Sequence, residues 1–194
     1  MNYDFTIKDT DAYSWAPALG TDVKDIVELS NTHFSDESSG MLVVDLHRAA
    51  KLITESIVNQ LYYPNSEFLV VARDKLTNKL AAWAWSKRHC MMEYSSEETT
   101  ELRMIHIDKS LLTRDKVALV GQAVSIWHMW AKMNKIPVMV SATLRSEQKA
   151  FLRILEALGF TVNGSYAFLR TQMDVAEPQR DVVEKPAIYA GLQR

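Results

Sequence analysis

Two short apolar runs, residues 68–72 and 80–85, and an alternating stretch, residues 102–107, follow one another across turn-forming residues and are bracketed on both sides by stretches with helical spacing. Runs of that length separated by short turns pair as an antiparallel meander, and the apolar faces they create need helices to cover them. This restricts the chain to a mixed sheet of the α/β (α+β) class with helices on both faces. With 194 residues and 47% of them hydrophobic, the chain is long enough for one well-buried core.

Ahead of the meander, residues 5–8 alternate apolar and polar and predict a first strand, while the polar stretch through Pro17 and Gly20 reads as a connection. Thr21 or Asp22 then caps a helix with Val23, Ile26, Val27 and Leu29 on one side, ending near Phe34, and residues 35–40 read as a loop. A second amphipathic helix spans residues 44–61, stopped by Pro64 and Asn65. Asp74, Lys75, Thr77 and Asn78 turn the first hairpin, and residues 95–100 turn the second.

Helical spacing returns over residues 115–134, with Val117, Val120, Val124, Trp127 and Trp130 on a broad apolar face. Pro137 introduces a strand at 138–143. Ser146 caps a last helix whose core stripe is Phe151, Leu152, Leu155 and Leu158, and Gly159 terminates it. Residues 160–162 and 166–169 read as closing strand material around Asn163 and Gly164. Residues 1–172 therefore form one domain. Residues 173–194, with Pro178 and Pro186, form an extended tail that only Ile188, Tyr189 and Leu192 are suited to anchor, and that could hold a protein partner or a second copy.

Twenty-two basic and 24 acidic side chains leave a net charge of -2, so no global field favours nucleic acid or an anionic membrane. The single cysteine, Cys90, excludes an intrachain disulfide and any multi-cysteine metal site, and reads as a structural thiol. His33, His47, His89, His106 and His128 show no metal-ligand spacing. The polar start, with Asp4 and Asp9, lacks the features of a signal peptide, and no stretch has the length of a membrane span, so a cytoplasmic setting is expected. Trp83 and Trp85 on one strand face, and Trp127 and Trp130 on one helix face, read as core.

The order of elements, strand, two helices, three strands, helix, strand, helix and final strand, resembles the GNAT N-acetyltransferase superfamily. The likeness covers residues 5–170. It is most specific at Ala-Phe-Leu-Arg-Ile-Leu-Glu-Ala-Leu-Gly-Phe, residues 150–160, which looks like the family's fourth helix ending in Gly-Phe. The resemblance implies acetyl-CoA as co-substrate, lying where the parallel strands at 102–107 and 138–143 splay. Its pantetheine would pair with backbone near Ile105 and Ile107, and its pyrophosphate would rest on the following helix start, at Leu112, Arg114, Asp115, Lys116, Val117 and Ala118. Gln148 matches the family's upstream asparagine.

For catalysis the resemblance implies a strand base, for which Glu101 and His106 qualify, and a proton donor for the leaving thiolate, for which Tyr166 is the candidate. Glu101 and His106 are five apart, so a regular strand sends them to opposite faces and only a bulge brings both to one side. Two departures from the family pattern stand out. The segment Arg114-Asp115-Lys116-Val117-Ala118-Leu119 has no glycine where the family has a glycine-rich phosphate loop, and Leu155 occupies the family's tyrosine position. Two functions are therefore weighed. One is direct transfer of an acetyl group to a primary amine, on a small molecule or a protein. The other is a GNAT-shaped binding or structural protein, similar to divergent GNAT-like proteins of tailed phages, some of them virion-associated.

Overall fold

The computed structural model describes residues 12–38, 42–90, 96–142 and 149–162. Residues 5–8, Ser146, Gln148, Tyr166 and the segment from 173 onward lie outside them.

Five strands form one sheet in the order β1-β2-β3-β4-β5, namely β1 (Tyr13–Pro17), β2 (Glu67–Asp74), β3 (Leu80–Cys90), β4 (Thr99–Ile107) and β5 (Val138–Ser141). The first four pair antiparallel and β5 joins β4 in parallel. Helices α1 (Val23–Ser38) and α2 (Leu46–Tyr62) precede β2, α3 (Thr113–Met133) lies between β4 and β5, and α4 (Lys149–Ala157) follows. This is the expected order with two corrections. The strand nearest the start of the description falls on Tyr13–Pro17, a segment read from sequence as a connection. As an edge strand it tolerates Pro17 at its end, since the missing N–H costs no ladder bond there. Phe160 to Val162 form no strand; Phe160 instead stacks on Trp127 with ring centroids 6.2 Å apart.

β2 is buried along its apolar run and divides the core in two. Leu69 and Val71 share one face with Trp83 and Trp85, where Ile26 of α1 and Ile53 and Ile57 of α2 cover them. Phe68, Val70 and Ala84 share the other face with Leu102, Ala123, Trp127 and Trp130. Polar groups lock this packing. Trp83 donates from Nε1 to Ser30 Oγ at 3.0 Å, which pins α1 to the sheet, and Trp127 donates from Nε1 to Thr100 Oγ1 at 3.0 Å.

α1 runs to Ser38, four residues beyond the expected end. Residues 35–38, read as loop, thereby become its last turn. α2 starts after Asp45, whose carboxylate accepts the Arg48 N–H at 2.9 Å, as an N-cap should. Asp74 organises the β2–β3 turn by accepting from the N–H groups of Leu76 and Thr77, and Asn78 takes the left-handed conformation there at φ 57°. Gly159, at φ 91°, ends α4 as its sequence position predicted.

Candidate functional site

The pairing of β4 with β5 stops at Leu102 opposite Ser141. Among the described residues the ladder ends there, while β4 continues from Arg103 to Ile107. Asp108 N–H donates to Ala81 O toward β3, and alternation along a strand turns the backbone of Ile105 and Ile107 to the opposite edge. The Ile107 carbonyl confirms this, since it accepts from His33 Nε2 at 2.8 Å.

A cavity of about 420 Å³ straddles the β4 edge. Leu102, Ile105, Val120, Phe151 and Ile154 wall it from the α3–α4 side, and Met104, His33 and Glu37 from the α1 side. Lys109, Thr113, Lys116 and Val117 close the end formed by the start of α3.

Register places a bulge at Arg103. Trp85 pairs with Met104 and Ser86 with Leu102, leaving Arg103 without a counterpart on β3. Because Lys87 opposes Glu101 and Trp83 opposes His106, the bulge turns Glu101 and His106 to the same face of the sheet, the α1–α2 face. Neither lines the cavity. Glu101 accepts from Arg103 Nη1 at 2.6 Å. His106 is 1% exposed in its side chain and sits beneath the wall, with Nε2 2.9 Å from Glu37 Oε1. His33 stacks on it at 4.7 Å between centroids and 18° between planes, and Trp83 meets it edge-on at 5.3 Å.

At the start of α3 the N-cap Leu112 supplies no side-chain hydrogen bond. Asp115 and Lys116 are the first N–H groups to find the Leu112 carbonyl, so those of Thr113 and Arg114 have no acceptor behind them in the helix. Lys116 and Val117 face the cavity, whereas Leu112, Arg114, Asp115 and Ala118 are not part of its wall. Leu112 is 69% exposed and does not fill the cavity. The Arg114 side chain is 89% exposed, 3.7 Å from Asp115. Asp115 projects its field toward Tyr13: burial, then the carboxylates of Asp115, Asp74 and Asp108, push the Tyr13 phenol above its ordinary value. Leu155 belongs to the core, and α4 offers the cavity Ala150, Phe151 and Ile154.

His33, Glu37, Arg103, Lys109 and Thr113 are wall residues that sequence reasoning did not select. The available signal was the four-residue spacing of His33 and Glu37, masked by reading residues 35–38 as loop. Among the described residues no group of three or more His, Cys, Asp or Glu side chains is placed to hold a metal ion, and no helix is long and apolar enough to cross a membrane.

No family model and no curated protein matches the chain in sequence. Solved structures do match in shape. A possible acetyltransferase from Clostridium difficile 630 superposes with a TM-score of 0.58 at 13% identity, over 84% of this chain and 99% of its own. Glucosamine-6-phosphate N-acetyltransferase from Arabidopsis thaliana gives 0.59 at 12% identity, over 82% and 99%. The aminoglycoside N-acetyltransferase AAC(6')-Iy, in complex with CoA, gives 0.61 at 15% identity, over 83% and 95%. The architecture is thus the GNAT acyltransferase fold.

Proposed function

We propose that the chain is an acetyl-CoA-dependent N-acetyltransferase that transfers directly to a primary amine while both substrates are bound. The observation that carries this reading is the cavity that lies along β4 and ends at the start of α3, beside the end of the β4–β5 ladder among the described residues. The solved structures of this fold include acetyltransferases for a sugar phosphate and for aminoglycosides, one of them with CoA bound, which supports the same ligand class here.

The residues present fit an extended thioester arm. The β4 side of the cavity, with Leu102, Met104 and Ile105 along it, would lie against such an arm. The first N–H groups of α3 carry the positive end of the helix dipole and suit a diphosphate, with Lys116 alongside. Val117, where a glycine-rich loop would let the backbone approach, is half-exposed on the wall, so a diphosphate held here would meet the helix tip and its side chains rather than a bare backbone nest. When bound, acetyl-CoA supplies a thioester whose carbonyl carbon accepts the amine. The chain's part is to align the two substrates and to exclude water with Met104, Phe151 and Ile154.

A second reading, a binding module of this shape without chemistry, is favoured by one observation: α4 presents Ala150, Phe151 and Ile154 to the cavity, and none of them donates a proton. Isothermal titration with acetyl-CoA followed by an amine-acetylation assay separates the two. Binding with turnover is expected. Binding without turnover supports the module, and no binding at millimolar acetyl-CoA ends the transferase reading.

A further inference from the structure

We propose, resting on the transferase reading, that Arg103 anchors a substrate carboxylate at the place where acyl donor and amine meet. The carboxylate is borne by the acceptor, as in an amino acid, or by the acyl group, as in a dicarboxylic thioester. The chemistry is the same in both cases, and the experiment below tells them apart.

Position comes first. Arg103 is the extra residue of the β4 bulge, with no counterpart on β3. Because of that extra residue Leu102 and Met104 reach the cavity from different sides, the first from that of α3 and α4 and the second from that of α1. Arg103 lies on the wall between them. The lysines of the wall, Lys109 and Lys116, belong to the opposite end, by the start of α3 where a diphosphate would rest. From Arg103 to Ile107, where β4 leaves the cavity, the strand runs about 13 Å. A thioester arm held by its phosphates at the α3 tip and laid along β4 carries its acyl group toward Arg103. The phosphates, at the far end, have no use for this charge.

The guanidinium is also held ready. Nη1 donates to Glu101 Oε2 at 2.6 Å, which fixes the orientation of the group. Arginine carries five N–H donors, and among the described residues this bond is the one Arg103 makes, so Nε and Nη2 are left for a second carboxylate in the side-by-side geometry a guanidinium favours. The side chain is 47% exposed, so a ligand reaches it, while Leu102, Met104 and Ile105 beside it on the wall keep part of the water away. A phosphate dianion would bring a second charge that this one cation, already partnered by Glu101, does not balance. A carboxylate brings one.

The consequence is a choice among substrates. A neutral group at this place leaves the spare N–H donors to water and gains nothing from them. An amine with a carboxylate a few bonds away gains the paired hydrogen bonds and is oriented by them, because the fork is already fixed on Glu101. A dicarboxylic acyl group uses the same fork to hold its far end. Arg103 is thus a specificity-determining residue, separating by charge substrates that the apolar walls at Met104, Phe151 and Ile154 would accept alike.

Calorimetry on the full chain tests both sources of the carboxylate. In the acceptor arm β-alanine and β-alaninamide are titrated with CoA saturating, and in the donor arm succinyl-CoA and butyryl-CoA are titrated alone. At least one arm is expected to favour the carboxylate about tenfold. Arg103→Met, which keeps the apolar stem, is expected to erase that margin with the melting temperature unchanged. A margin for β-alanine places the carboxylate on the acceptor, and one for succinyl-CoA places it on the acyl group. Should Arg103→Met fail to fold, Arg103→Gln, which keeps an N–H donor but no charge, reads the same margin. Equal affinities in both arms, or a margin that survives the loss of the guanidinium, overturn the inference. If none of the CoA species binds, the transferase reading falls and this inference with it, whereas thioesters that bind with no preference for a carboxylate in either arm remove this inference alone.

Discussion

Replacing Glu67 by glutamine should destabilise the fold and remove part of its acid sensitivity. Glu67 opens β2 and is 5% exposed, yet it is satisfied on both oxygens. Oε1 accepts from Asn59 Nδ2 at 2.8 Å and lies 3.4 Å from Lys87 Nζ, while Oε2 accepts from Trp85 Nε1 at 2.8 Å. Burial pushes this carboxyl up, but the bonds from Ser56, Asn59 and Trp85, together with the Lys87 ammonium, outweigh it and hold the group below its ordinary range. Glutamine keeps one acceptor oxygen and turns an N–H₂ toward the other donor, so either Asn59 or Trp85 is left facing a donor in a buried site. One orphaned donor plus the lost charge-assisted bond costs about 2–4 kcal/mol. In a protein of this size that lowers Tm by about 5–15 °C. Because the folded carboxyl is more acidic than the unfolded one, its contribution is complete above the unfolded value near 4.5 and is lost as pH falls through the lower, folded value. Thermal unfolding followed by circular dichroism between pH 7 and pH 3 should show the variant less stable at pH 7 and flatter on the acid limb. A variant that melts with the wild type at neutral pH, or that keeps the full acid slope, refutes the reasoning.

Other outcomes follow from the same geometry. Gly159→Ala should cost about 1–2 kcal/mol in chemical denaturation, because φ 91° is strained for any residue with a Cβ. Leu155→Ala, at a side chain 2% exposed in the core, should cost about 2–5 kcal/mol while leaving acetyl-CoA affinity largely intact, since Leu155 is not on the cavity wall. Burial raises the Asp108 carboxyl, but Lys79 and Ser110 bring it down to about 2, so Asp108→Asn should remove stability that the wild type loses only as pH drops from about 3.8 toward 2. Arg114→Glu should weaken acetyl-CoA binding only about three- to tenfold in calorimetry, because this guanidinium is largely solvated and acts through long-range attraction.

Most of the architecture was legible because its elements are long and periodic. α2 and α3 have unbroken stripes, and the meander has turn residues at each reversal. The strand Tyr13–Pro17 was hidden by Ser14 and Pro17, which are acceptable where, among the described residues, no strand pairs on its outer side. The last turn of α1 was hidden by Ser35, Asp36 and Ser38, poor helix formers retained there while tertiary contacts hold the helix, such as Lys109 on Asp36. That turn carries Glu37, so the error about a helix end also concealed a wall residue. Of the residues expected to hold the co-substrate, Ile105, Ile107, Lys116 and Val117 line the cavity. The bulge at Arg103 could not be read, since register depends on which β3 residue faces which β4 residue, and no local pattern encodes it.

Hydrogen exchange of the backbone, with and without saturating acetyl-CoA, addresses the open β4 edge and the α3 tip together. The account predicts slower exchange in peptides covering residues 103–107 and 112–116, with β1 and the β2–β3 turn unchanged. Binding that leaves both segments exchanging as in the free protein, or protection confined to another surface, contradicts it.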